Sequence, residues 1–172
     1  MKSSTMYKNA YSDETIAISA SGNYDYSDEP WHGGDKTILV NAAMADGTFI
    51  RLPEATTSNT GLHVRVVMGI ACADDLAIGF VTSVIQGGAT ALGDTNEAAS
   101  TAHASAIADV ADAFNSVRFN LDTVASAGGT GGTVLDFYYT GTANKVVYRG
   151  DLISEIDAPT LTAHFSTDAV NA

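Results

Sequence analysis

From Lys36 onward, apolar and polar residues alternate along most of the chain. In LHVRVVMGI, Leu62, Val64, Val66, Met68 and Ile70 fall on one side, and His63, Arg65, Val67 and Gly69 on the other. Successive side chains of an extended backbone point to opposite faces, so a period of two predicts a strand with one face in a core. DLAIGFV repeats the pattern through Leu76, Ile78 and Phe80, and the Asp74-Asp75 pair before it predicts a hairpin between the two runs. In SVRFNLDTV, Val117, Phe119 and Leu121 point inward, while Arg118, Asn120 and Asp122 point outward. TVLDFYYTG and NKVVYRG flank TGTAN and predict a second hairpin. TILVNAA, TFIRL, DLISEI and LTAHFS add shorter strands, with Gly150 read as a turn before LISEI. Many short strands separated by turn residues predict an all-β protein, an antiparallel β-sandwich of jelly-roll type.

Two segments depart from this period. Residues 97–113 are alanine-rich, and Ala104, Ile107, Ala111 and Phe114 share one face at helical spacing, which predicts a short helical insert capped at Thr95 or Asn96. Residues 1–35 are rich in Tyr, Ser, Asp and Gly with little apolar period apart from TIAIS. Such a segment buries little by itself. It is expected to be an extended N-terminal arm ahead of a β-domain over 36–172, with Tyr7, Tyr11, Tyr24, Tyr26 and Trp31 as its interface candidates.

The stretch IRLPEATTSNTGLHV has a small polar loop before a strand, as a phosphate cradle would. It lacks a Gly-x-x-x-x-Gly-Lys arrangement, and a strand rather than a helix follows Gly61, so no helix dipole meets an anion. It reads as a connector. Pro53 ends one strand because it has no N–H for the ladder, and Asn59 and Gly61 give the freedom to start the next.

Composition narrows the function classes. At 172 residues the chain suits one domain. A formal charge of −12 with eight Lys and Arg repels polyphosphates, so no nucleic-acid partner is expected. No secretory signal and no membrane-spanning run is read from the sequence, and no membrane partner is expected. Cys72 is the sole cysteine and reads as a small buried hydrophobe.

The chemistry-bearing residues form no motif. His32, His63, His103 and His164 share no metal spacing. Asp25, Asp28, Glu29 and Asp35 miss the register of a calcium loop, and Asp109 and Asp112 read as a wet face. No nucleophile elbow or zinc-protease motif occurs. Neither a catalytic residue, a cofactor nor a metal is therefore expected, and Asp136, on a strand among aromatics, is the one carboxylate worth testing. Arg149-Gly150-Asp151 is an RGD tripeptide, which binds receptors only when a loop displays it.

TFIRLPEATTSNTGLHVRVVMGIACADDLAIGFV, with NKVVYRGDL later, resembles a module of tailed-bacteriophage virion surface proteins. In these a strand ends in Leu-Pro, passes a small polar stretch and a Gly, and enters an alternating strand. The resemblance covers about residues 48–86 and 133–152. It implies a non-enzymatic β-sandwich on the outer capsid surface of a virion, a head decoration (cement) protein that bridges neighbouring subunits. The implied partners are the major capsid protein and further copies of the chain as a homotrimer. The competing reading is a fibre or spike module that binds host-surface carbohydrate through Trp31, Tyr138 or Tyr139. A polysaccharide depolymerase would need paired carboxylates in a cleft.

Overall fold

The structure, a computed structural model, describes residues 13–93, 103–108, 113–119, 129–154, 164–167 and 170. These residues form two mixed β-sheets. The larger has the order β1-β3-β5-β10-β11-β7-β8, and the smaller β12-β9-β6-β4-β2. In chain order the strands are β1 (Glu14–Ile18), β2 (Tyr24–Asp25), β3 (Gly34–Val40), β4 (Thr48–Arg51), β5 (Leu62–Met68) and β6 (Leu76–Gly79). They continue as β7 (Val84–Gly93), β8 (His103–Ala108), β9 (Ser116–Phe119), β10 (Val134–Tyr138), β11 (Lys145–Ser154) and β12 (Phe165–Ser166).

The first six strands alternate between the sheets. A chain that leaves one sheet, passes through the other and returns arrives pointing the same way. Hence β1, β3 and β5 are parallel neighbours, and so are β2, β4 and β6. One circuit advances 22 to 28 residues, from Glu14 to Lys36 to Val64 in the larger sheet and from Tyr24 to Ile50 to Ile78 in the smaller. With β7 also parallel to β11, five of the ten strand pairings among the described residues are parallel. The expectation of antiparallel, jelly-roll-type sheets is corrected accordingly. So is the hairpin at Asp74-Asp75: β5 lies in the larger sheet and β6 in the smaller, so this turn carries the chain from one sheet to the other. The hairpin around TGTAN is present, with Tyr138 opposite Val147.

Three further expectations change. Within the alanine-rich segment, residues 103–108 form β8, antiparallel to β7 along Gly87–Leu92, where a helix was expected. Pairing with an available sheet edge overrides a helix propensity diluted by Ser and Thr, and Ala113 sits at φ 51°, which a helix cannot accept. Residues 97–102 and 109–112 lie outside the described residues. The N-terminal segment, as far as it is described, is not an extended arm: β1 and β2 belong to the two sheets, and the expected boundary at 35/36 falls inside β3. Ile70 lies two residues beyond the end of β5 and is exposed, so the alternation in sequence outlasts the strand.

The inner faces of both sheets share one apolar core. Val64 and Val66 of β5, Phe137 of β10, Ile78 of β6 and Phe119 of β9 are all buried in it, as the alternation predicts, while Leu121 lies outside the described residues. Phe80, just after β6, meets Phe137 edge-on across the core, with centroids 6.0 Å apart.

Candidate functional site

Because β5, β10 and β11 alternate strictly, they place their polar residues together on the outer face of the larger sheet. The register aligns Asp35, His63, Tyr138 and Val147 in one row across four strands. Thr37, Arg65, Asp136 and Arg149 form the next.

Asp136 is the hub. Only 5% of it is exposed, so its charge needs partners. Arg65 grips it with a fork, Nε donating to Oδ1 at 2.7 Å and a terminal nitrogen to Oδ2 at 3.2 Å. The Nε2 atom of His63 lies 2.8 Å from the same Oδ1, and its Nδ1 lies 3.0 Å from Asp35. Burial pushes the Asp136 carboxyl up, but the hydrogen bonds from Arg65 and His63 outweigh it and hold the group below its usual range.

His63 is thus clamped between two carboxylates, and no hydroxyl or thiol among the described residues bonds it. The ring lies between Asp35 and Asp136 and bonds both. Tyr138 stacks on His63 with planes 4° apart and centroids at 4.5 Å, close to the spacing of neighbouring strands. The two rings therefore stand on edge across the sheet, and Tyr138 has Val147 directly opposite on its other side. Its edge faces outward, whereas stacking on a sugar needs an open ring face.

A second polar cluster resolves the connector at residues 50–61. The Glu54 carboxylate accepts hydrogen bonds from the backbone N–H groups of Val81, Thr82 and Ser83 and from the hydroxyls of Thr82 and Ser83. Burial pushes this carboxyl up as well, and the bonds from Ser83, Thr82 and Val81 bring it below its usual value. The Asn59 side chain accepts from Thr56 N–H and donates to the Glu54 carbonyl, and Gly61 turns into β5 at φ 83°. The loop's polar groups serve its own backbone and the β6–β7 turn, in accord with a connector. Nothing in the sequence linked Glu54 to a turn some thirty residues away.

A third pair is buried. The Tyr148 hydroxyl lies 2.7 Å from His164 Nε2 inside the core, among Phe119, Phe137 and Phe165. Burial drives the His164 value down to about 4 and the Tyr148 hydroxyl well above its ordinary range. Gly150 makes the pair possible, because a Cβ there would collide with the Tyr148 hydroxyl as the ring lies across it. The RGD tripeptide is therefore not on a turn. It lies within the ten-residue strand β11, paired on both sides, and Arg149 bonds Asp151 at 3.0 Å.

The remaining candidates disperse. Trp31 is 5% exposed and packs in the chain's own core, stacked on Tyr26 at 5.4 Å. Tyr24 and Tyr26 pack partly buried against that core, so these three are not held out on an arm, and Tyr7 and Tyr11 lie outside the described residues. Tyr139 is buried, with its hydroxyl donating to the Pro53 carbonyl at 2.9 Å. That removes Trp31 and Tyr139 as sugar platforms. Cys72 is buried, and burial pushes its thiol up to about 12. Asp25 bonds Arg51 while Asp35 bonds His63, so the acidic stretch between them does not converge. His63 and His164 lie on opposite faces of the larger sheet.

In comparisons with known proteins, no family model matches the chain, and neither a curated protein nor a solved structure is significantly similar to it.

Proposed function

We propose that the chain is a non-enzymatic virion surface protein, a β-sandwich that decorates a phage capsid and straps neighbouring subunits. The sandwich reading is supported by the single core that the two sheets share. One observation carries the functional reading. The chemistry-bearing residues of the outer face are tied to one another in a flat ladder, with Asp136 held by Arg65 and His63, and His63 by Asp35. A ladder of this kind fixes the shape of a contact surface and engages His63, Asp35 and Asp136 with one another. Such a ligand stabilises a shell by mass action when it binds the assembled state alone. The upright packing of Tyr138 favours protein contact over sugar stacking.

Copy number in purified particles tests this. Hundreds of copies per particle are expected for a decoration protein. A few copies per particle with glycan-array binding would establish the fibre reading instead. Hydrolysis of polysaccharide that is abolished by Asp136→Asn would overturn the non-enzymatic assignment.

A further inference from the structure

Among the described residues the exposed cations are Arg65, Lys145 and Arg149, and all three stand on the outer face of the larger sheet. The other described cations are withdrawn. Lys36 is fully buried, with its ammonium 3.6 Å from Glu14. Arg51 bonds Asp25 and the Val170 carbonyl, and Arg118 is half-buried in β9. The same outer face carries Asp35, Asp136 and Asp151, with Asp13 beside Asp35, so among the described residues it is the one place where a chain of formal charge −12 exposes cations among its acids. Elsewhere the described surface shows exposed acids with no exposed cation, including Asp25, Asp28 and Glu29 at and beyond β2.

Apolar side chains lie on either side of the row formed by Thr37, Arg65, Asp136 and Arg149. Tyr138 and Val147 face each other across β10 and β11, 37% and 41% exposed. Leu39, Val67 and Val134 follow as a half-buried row in register. Exposed Tyr and aliphatic side chains interleaved with arginine have the composition of a protein interface.

We infer that this face is a self-association surface that receives the acidic β2 side of a second copy. Two copies at −12 repel each other wherever acid meets acid, and least where cations are exposed. Lys145, which has no ion pair among the described residues, and the outward Arg149 attract the strip formed by Asp25, Asp28 and Glu29. Face and strip are different surfaces, so the contact is head-to-tail, and repetition generates a closed ring where the rotation permits. This goes beyond the decoration reading by naming the surface, and it is tested in solution without particles. Its failure therefore leaves the capsid assignment to its own experiment.

The test is sedimentation velocity of the full chain at about 50 and about 500 mM NaCl. It compares wild type, Lys145→Glu/Arg149→Glu, Asp28→Lys/Glu29→Lys and an equal mixture of the two variants. All substituted residues are exposed, and a thermal melt of each variant checks the fold. Wild type is expected to associate at low salt and to weaken about tenfold or more at high salt. Each double variant is expected to associate about tenfold or more weakly alone, and the mixture to recover a complex, because each supplies the surface the other lacks. Wild type that stays monomeric at low salt up to about 1 mM would overturn the inference. So would association that neither variant weakens, or a mixture that does not recover.

Discussion

The two faces of the larger sheet bury their residues by different means. On β10, Phe137 points inward and is buried by apolar contact with Phe80 and Tyr148. Asp136, its neighbour in the chain, points outward and is almost as buried, but by hydrogen bonds from Arg65 and His63. The inner face gains from removing apolar area from water, at about 25 cal/mol per Å². The outer face withdraws a charge from water, which is tolerable only while every partner stays in place. A polar face in an alternating strand is therefore not necessarily a wet one, and that difference makes the faces respond differently to mutation.

The largest effect should come from breaking the inner face. Val66→Asp places an unpaired charge in the shared core and is expected to cost several kcal/mol, comparable with the whole stability of a small domain. A urea titration followed by circular dichroism measures it, and a native-like midpoint would contradict the core assignment.

Acid sharpens the comparison, because the inner face holds the Tyr148–His164 pair. His164 has a folded value of about 4 against an ordinary 6.5, so the unfolded chain binds more protons between those values. Stability from this group is full above about pH 6.5 and falls toward pH 4, by about 3 kcal/mol in total. The lowered carboxyls of Asp136 on the outer face and Glu54 in the connector work in a separate window. Their contribution is full above the ordinary carboxylate range and is lost as pH falls through their folded values. Urea midpoints measured across pH should show two steps, and His164→Phe should remove only the upper one.

Gly150→Ala drives a methyl into the Tyr148 hydroxyl and is expected to cost about 2 kcal/mol, mostly as overpacking of the inner face. An exposed RGD turn would tolerate the same change, so a neutral result would refute the strand placement. On the outer face, Arg65→Ala leaves Asp136 with His63 alone, and a loss of about 1–2 kcal/mol is expected. The alternation alone would make this position nearly indifferent, so the thermal melt of this variant tests whether the ladder matters. The smallest effect concerns Cys72. With its thiol pushed up to about 12 by burial, it should resist alkylation in the folded protein and react only on unfolding, as mass spectrometry can follow.

The sequence by itself determined that this is a β protein and which residues of each strand share a face. Alternation is a local property, fixed by the geometry of extended backbone, and it placed Val64, Val66, Ile78 and Phe119 inside and put His63 and Arg65 on the other side of their strand. It also marked the connector after Pro53 and the hairpin at TGTAN, where turn residues act over a few positions. Tertiary structure decided what each strand pairs with. Asp74-Asp75 signals a turn equally well whether the chain folds back in one sheet or crosses to the other, so the parallel winding of β1 to β6 was not legible. The edge offered by β7 drew residues 103–108 into β8 against a helical spacing. Glu54 with Ser83, Tyr148 with His164 and His63 with Asp136 meet across gaps of 29, 16 and 73 residues. Such meetings depend on packing of the whole chain, and no local pattern encodes them.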